Sequence, residues 1–205
     1  MLMDIGHLHH YWVKYRYITL IIPIILLIFF SSLAVWQLRA NNLKMLDLKQ
    51  AVITADEQGG DVEKALKELQ LYVYGHMNTR MRSSGSSEPP IQLINRYNQL
   101  VATEQARIAN ISNVSSDLYQ RAQAECNKPE ISLSVRNQCV KDYYVANGGG
   151  GSYIKLPPKE LYTYDFASPR WSPDTAGVSI ILAAVSLVLL IIRLVVGFII
   201  KRKVQ

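Results

Sequence analysis

The sequence predicts an all-α membrane protein in which two transmembrane helices flank an elongated extracytoplasmic helical bundle. Three observations carry that expectation. The run from Ile18 to Trp36 (ITLIIPIILLIFFSSLAVW) holds 19 residues without a charge, and a helix of that length rises roughly 28 Å, close to the hydrocarbon core of a bilayer. A second apolar run, Val178 to Ile200, lies five residues before the last residue. Between the two, apolar residues recur at spacings of three and four, the period of amphipathic helices.

The expected divisions follow. They are a cytoplasmic segment 1–17, a first transmembrane helix 18–36 acting as a signal anchor, an extracytoplasmic helical domain 37–177, a second transmembrane helix 178–200 and a cytoplasmic tail 201–205. The 205 residues include 22 Lys+Arg and 16 Asp+Glu, a net charge of +6. That excess sits at the membrane flanks, in Lys14, Arg16, Arg193, Lys201, Arg202 and Lys203, and leaves 16 basic and 15 acidic residues in the centre. A phosphate-binding surface is therefore not indicated, and no nucleic-acid partner is expected. Cationic flanks stay in the cytoplasm, so both termini are placed there, the central domain outside, and the protein in the plasma membrane. Ser32-Leu33-Ala34 offers the small residues of a signal-peptidase site, which makes a cleaved signal peptide the alternative. The apolar run outlasts the usual 7–15-residue signal core, which favours an uncleaved anchor.

Met1 to Tyr17 reads as an interfacial segment with Tyr11, Trp12, Tyr15 and Tyr17 at the headgroups. Its His7, His9 and His10 lack a fourth ligand or fixed scaffold for a metal. Beyond Trp36, Met45, Leu48, Val52 and Ala55 continue a helical stripe that Leu46 and Ile53 widen. Gln58-Gly59-Gly60-Asp61 interrupts it, with Asp61 as N-cap of a second helix carrying Val62, Leu66, Leu69, Val73 and Met77 on one face. A Ser/Gly/Pro loop, Ser83 to Pro90, separates this from a third stripe of Ile94, Tyr97, Val101, Ile108, Ile111 and Leu118, which falters at Asn110 to Ser116. Asn110 and Asn113 also match the glycosylation sequon, relevant only in a eukaryotic secretory pathway. A last short helix, Ser134 to Asn147, ends at Gly148 to Gly151. From Tyr153 to Trp171, aromatic residues alternate with prolines, as in an extended strap. Ser172 is the expected N-cap of the final helix, with Pro173 at its first position.

Cys126 and Cys139 enclose a 12-residue loop. An even pair in an exported region reads as a disulfide, worth about 3 kcal/mol for such a loop. No G-x-S-x-G, P-loop, dinucleotide-binding glycine pattern or H-E-x-x-H occurs, and His76 is the one histidine of the central region. No enzyme activity, cofactor, catalytic residue or metal site is expected. The least regular stretch, Tyr72 to Met81 (YVYGHMNTRM), ends a helix beside the Ser/Gly loop. Tyr74, His76, Asn78 and Arg80 there form a candidate ligand or partner site at the bundle tip, against the plainer reading of a helix end with its dipole complemented. Arg193, inside the second run, either snorkels to the cytoplasmic interface or meets a polar group of a partner span.

The segments LYVYGHMNTR (71–80), PPIQL (89–93) and SPRWSPDTAG (168–177) resemble uncharacterised two-span membrane proteins of bacteria with very small genomes. The resemblance implies a bacterial origin and supports the topology and the cysteine pair, while transferring no functional residue. More loosely, the architecture is similar to the exported helical bundle of a chemoreceptor, although only LysArgLysValGln follows the second run. The expected role is a non-enzymatic, membrane-anchored interaction or scaffold protein of the cell envelope, with the lipid bilayer and a protein partner or homo-oligomer as its contacts. The alternatives are a ligand-sensing subunit that signals through a partner, and an accessory subunit of a transport or secretion complex.

Overall fold

The computed structural model describes residues 17–82, 88–110, 113–149 and 155–204. His7, His9 and His10 lie outside them, as do Ile111 and Tyr153. Among the described residues the chain is mostly helical: α1 (Ile18–Gln58), α2 (Val62–Gly75), α3 (Ile94–Ala109), α4 (Asn113–Cys126), α5 (Leu133–Ala146) and α6 (Thr175–Val204). Strands β1 (Ile91–Gln92) and β2 (Thr163–Tyr164) pair antiparallel, Ile91 opposite Tyr164.

The chain divides into two compact units, a span unit of residues to 43, 74–79 and from 168, and a helical unit of 44–73 and 80–167. In the span unit, α1 and α6 are both long and apolar enough to cross a membrane. Only 11% of the most apolar stretch of α1 and 6% of that of α6 is buried, which sets them apart from the core helices of a soluble protein. Shielded positions that recur at three and four include Leu20, Pro23, Leu27, Phe30, Ala34, Gln37 and Asn41 on α1, and Ser179, Ala183, Ser186, Leu190, Arg193 and Gly197 on α6; Ile24, Leu33, Leu38 and Ala40 of α1 and Ala176, Gly177 and Ile200 of α6 are shielded as well. These positions define an α1–α6 seam, joined by the Asn41–Asp174 and Arg193–Thr19 hydrogen bonds. Ser179 and Ser186 spend their hydroxyls on the carbonyls of Thr175 and Leu182, so they add no unmet polar group.

In the helical unit, Met45 and Val52 of α1 join Leu66, Leu69 and Val73 of α2 in one core, completed by Ile91, Leu93, Tyr97, Leu133 and Tyr162. Leu46 is exposed and does not widen the stripe. Asp61 caps α2 as the sequence predicts, its Oδ1 accepting the Lys64 N–H at 3.0 Å. Gly59, at φ 68°, supplies the left-handed turn between α1 and α2. The third stripe is interrupted, giving α3 and α4, and Ile94 is exposed while Ile91 and Leu93 take the core positions. The reason is the β1–β2 pair: Leu93 N–H donates to Tyr162 O at 2.8 Å, which delays the helix and turns Ile94 outward. A second core packs Ile108, Tyr119, Ala122, Val140 and Tyr144 around the Cys126–Cys139 disulfide, whose Cα atoms lie 5.8 Å apart. Gly148, at φ 88°, closes α5. The strap residues Tyr162, Tyr164 and Phe166 cover the first core, and the Tyr162 ring meets Tyr97 edge-on at 5.0 Å.

Candidate functional site

Three places bring polar side chains together. The first, in the span unit, is built on Asp174, whose Oδ1 accepts the Gly177 N–H at 2.9 Å. Asp174 is thus the N-cap of α6. The expected cap, Ser172, is buried two residues earlier, and its Oγ accepts the Met77 N–H at 2.9 Å. The correction follows from the first helical residue, Thr175, which puts the orphan N–H of the third helical position within reach of Asp174 and not of Ser172. Asp174 Oδ2 takes a second bond, 2.6 Å from the donating Nδ2 of buried Asn41, which also faces Met77 O at 3.4 Å. Asn78, in the left-handed region at φ 62°, donates from Nδ2 to Leu38 O at 3.2 Å. Burial alone would raise the Asp174 carboxyl. The Gly177 N–H, Asn41, Ser172 and His76 outweigh burial and hold it below the usual carboxylate range.

The predicted site is divided. Tyr74, His76 and Asn78 belong to the segment 74–79, seated against Leu38 and Asn41 just past the end of the first apolar run. Arg80 belongs to the helical unit, so the four residues do not form one cluster within either unit. At the other end of the seam, Arg193 Nε donates to Thr19 Oγ1 at 2.8 Å. It therefore has a polar contact on α1 of the same chain.

The second place is an open cleft of about 400 Å³ in the helical unit, lined in part by Asp56, Glu63, Arg96 and Gln99. Asp56 is buried and caps α3 from a distant helix: Oδ2 accepts the Asn95 N–H at 2.9 Å and Oδ1 the Arg96 N–H at 3.0 Å. The residue at the cap position, Leu93, has no side-chain oxygen to do this. Glu63 pairs with the Arg96 guanidinium at 2.6 Å.

The third is the buried carboxylate of Glu104. It accepts from Arg107 Nε at 2.7 Å and Nη2 at 2.6 Å, and from the Lys155 N–H at 2.6 Å. Burial pushes its carboxyl up, and the hydrogen bonds from Arg107 and Lys155 pull it down further, leaving it lowered. Nearby, burial pushes the phenols of Tyr119 and Tyr162 up to about 12, so both remain protonated at neutral pH and act as hydrogen-bonding groups, not nucleophiles. Among the described residues no group of three His, Cys, Asp or Glu is arranged to hold a metal.

Asn41, Asp56, Glu104 and Thr19 carried no signal in the sequence, since each acts on a partner far along the chain. For Asp56 the one clue was negative, a helix opening at Leu93 without a capping side chain. The chain matches no family model, no curated protein and no solved structure.

Proposed function

We propose that this protein is a non-enzymatic, membrane-anchored scaffold or interaction protein of the cell envelope. In this reading α1 and α6 cross the plasma membrane, both termini face the cytoplasm, and the region between the spans lies outside. One observation carries it. The charged groups that gather in the helical unit are spent on the fold itself: Asp56 on the α3 backbone, Glu63 on Arg96, and Glu104 on Arg107 and Lys155. What that unit turns outward includes large apolar side chains, Leu71, Ile94, Val135 and Val145, each more than half exposed. Contact with another protein uses such side chains, whereas turnover needs polar groups held in reserve. The disulfide supports export, because such bonds persist in oxidising compartments.

The sensing alternative draws on the cleft beside Arg96 and Gln99. The two readings separate in one pair of measurements on the full chain. Crosslinking in native membranes should trap a discrete protein complex, and a thermal-shift screen of small metabolites should leave the melting temperature unchanged. A metabolite present at 100 times its dissociation constant would add about 2.7 kcal/mol. Such a shift, abolished by Arg96→Ala, with no trapped complex, would replace the scaffold by the sensor.

A further inference from the structure

The bend Tyr74–Thr79 returns to the mouth of the spans, beside large exposed aromatic rings. Trp36, Tyr74 and Trp171 are all more than half exposed. On α1, Trp36 lies roughly 7 Å along the helix from Asn41, on the apolar side. Trp171 precedes Asp174 in sequence but folds back: its Nε1 lies 3.1 Å, and Met77 Cε 3.2 Å, from where a Cβ on Gly177 would stand. Gly177 is roughly 4 Å along α6 from Asp174, again on the apolar side. Since Asn41 and Asp174 touch, the two indoles fall at nearly the same height, just inside the contact that closes the seam. The interfacial layer of a bilayer is roughly 5–8 Å deep on each side, which suits rings at that height. Flanking them, Arg39 and Arg170 are exposed, while the carboxylate at this level, Asp174, is taken up by Asn41 and Gly177.

We propose that Trp36, Tyr74 and Trp171, with Arg39 and Arg170, form a collar that contacts phospholipid headgroups of the leaflet facing the central region. The aromatic rings occupy the interfacial layer and the guanidinium groups take lipid phosphates. The occupant is a lipid surface because the collar directly continues two apolar helices and carries cations without a spare carboxylate. The bend is thus a part of the membrane anchor built from the returning end of α2. This rests on the reading of α1 and α6 as membrane spans.

Depth-dependent fluorescence quenching tests it. Two single-tryptophan forms of the full chain, Trp12→Phe/Trp171→Phe and Trp12→Phe/Trp36→Phe, are reconstituted into vesicles of phosphatidylcholine and phosphatidylglycerol. The phosphatidylcholine carries bromine on acyl carbons 6,7 or 11,12. Both tryptophans should be quenched more strongly by the shallow label than by the deep one, and to a similar degree. Quenching of Trp171 by aqueous acrylamide and by neither lipid label would overturn the collar, and so would protection from all three, which means cover by another protein. A chain that fails to float with the vesicles would instead refute the membrane reading itself.

Discussion

Asn41 donates its Nδ2–H to Asp174 Oδ2 at 2.6 Å, joining residues 133 positions apart. That contact and the Arg193–Thr19 bond at 2.8 Å lie towards opposite ends of the α1–α6 seam. Between them α1 rises roughly 33 Å and α6 roughly 28 Å, about the thickness of a hydrocarbon core. Polar contacts therefore bracket a seam that is apolar apart from Gln37 and the serines Ser179 and Ser186, whose hydroxyls are capped within their own helix.

Asp174→Ala should destabilise the protein by about 1 kcal/mol, the usual cost of an N-cap, whereas Asp174→Asn should cost less because an amide oxygen still accepts from Gly177. Thermal unfolding in micelles measures both.

The Asp174 carboxyl also sets a pH dependence. Its folded-state pKa lies below the ordinary 3.8, so its contribution is complete above that value and is lost as the pH falls through the folded pKa. Unfolding curves recorded between neutral and strongly acidic pH should show this loss in the native chain and a smaller one in Asp174→Asn. Equal acid sensitivity of the two would remove Asp174 from the account.

Asp56→Ala leaves two N–H groups at the start of α3 without their acceptor and should cost about 2 kcal/mol. Hydrogen exchange read by mass spectrometry should show the amides of Asn95 and Arg96 exchanging faster, with the peptides of α4 little changed. Unaltered protection at the α3 start would contradict the capping geometry.

For the Arg193–Thr19 contact, Arg193→Leu and Thr19→Val should be non-additive if α1 and α6 cross the bilayer as proposed, with a coupling of about 0.6 kcal/mol, typical of hydrogen bonds between membrane helices. Strict additivity in a double-mutant cycle would show that Arg193 finds its partner elsewhere.

Cys126→Ser with Cys139→Ser should lower the stability of the helical unit by about 3 kcal/mol. In that background, a cysteine at the exposed Lys67 reports topology. A membrane-impermeant maleimide should label it in intact cells, and protection from the reagent would place the helical unit in the cytoplasm.

The sequence announced those features whose cause is local. Runs of apolar residues specify α1 and α6, a period of three to four specifies the buried faces of α2, and Asp61 declares its own cap through the residues next to it. Long-range features left no such trace. The Ile91–Tyr164 pairing is two residues long on each strand, too short for an alternating pattern, yet it decides that Ile94 faces outward. Asp56 reads as an ordinary charge on a helix, and only the fold shows that a distant N-terminus needs it. The contacts of the bend at Tyr74 to Thr79 were not legible, because nothing in Asn78 or Met77 names Leu38 and Asn41 as their neighbours. Whether Ser172 or Asp174 caps α6 turned on a two-residue shift in the first helical turn.

Gly177 bears on how the descent of this protein can be traced. A Cβ at that position would collide with the carbonyl oxygen of Ser172 and crowd Trp171 and Met77, so hydrogen alone fits there. Most of α6 accepts exchange among Leu, Ile, Val and Phe with little cost, and those positions drift until they carry no memory of ancestry. Position 177 cannot drift that way. In distant descendants whose apolar helices share no recognisable similarity, a glycine three residues after an aspartate at the start of the second one would mark the same joint. Its replacement by any larger residue would mark a lineage in which the joint has been rebuilt.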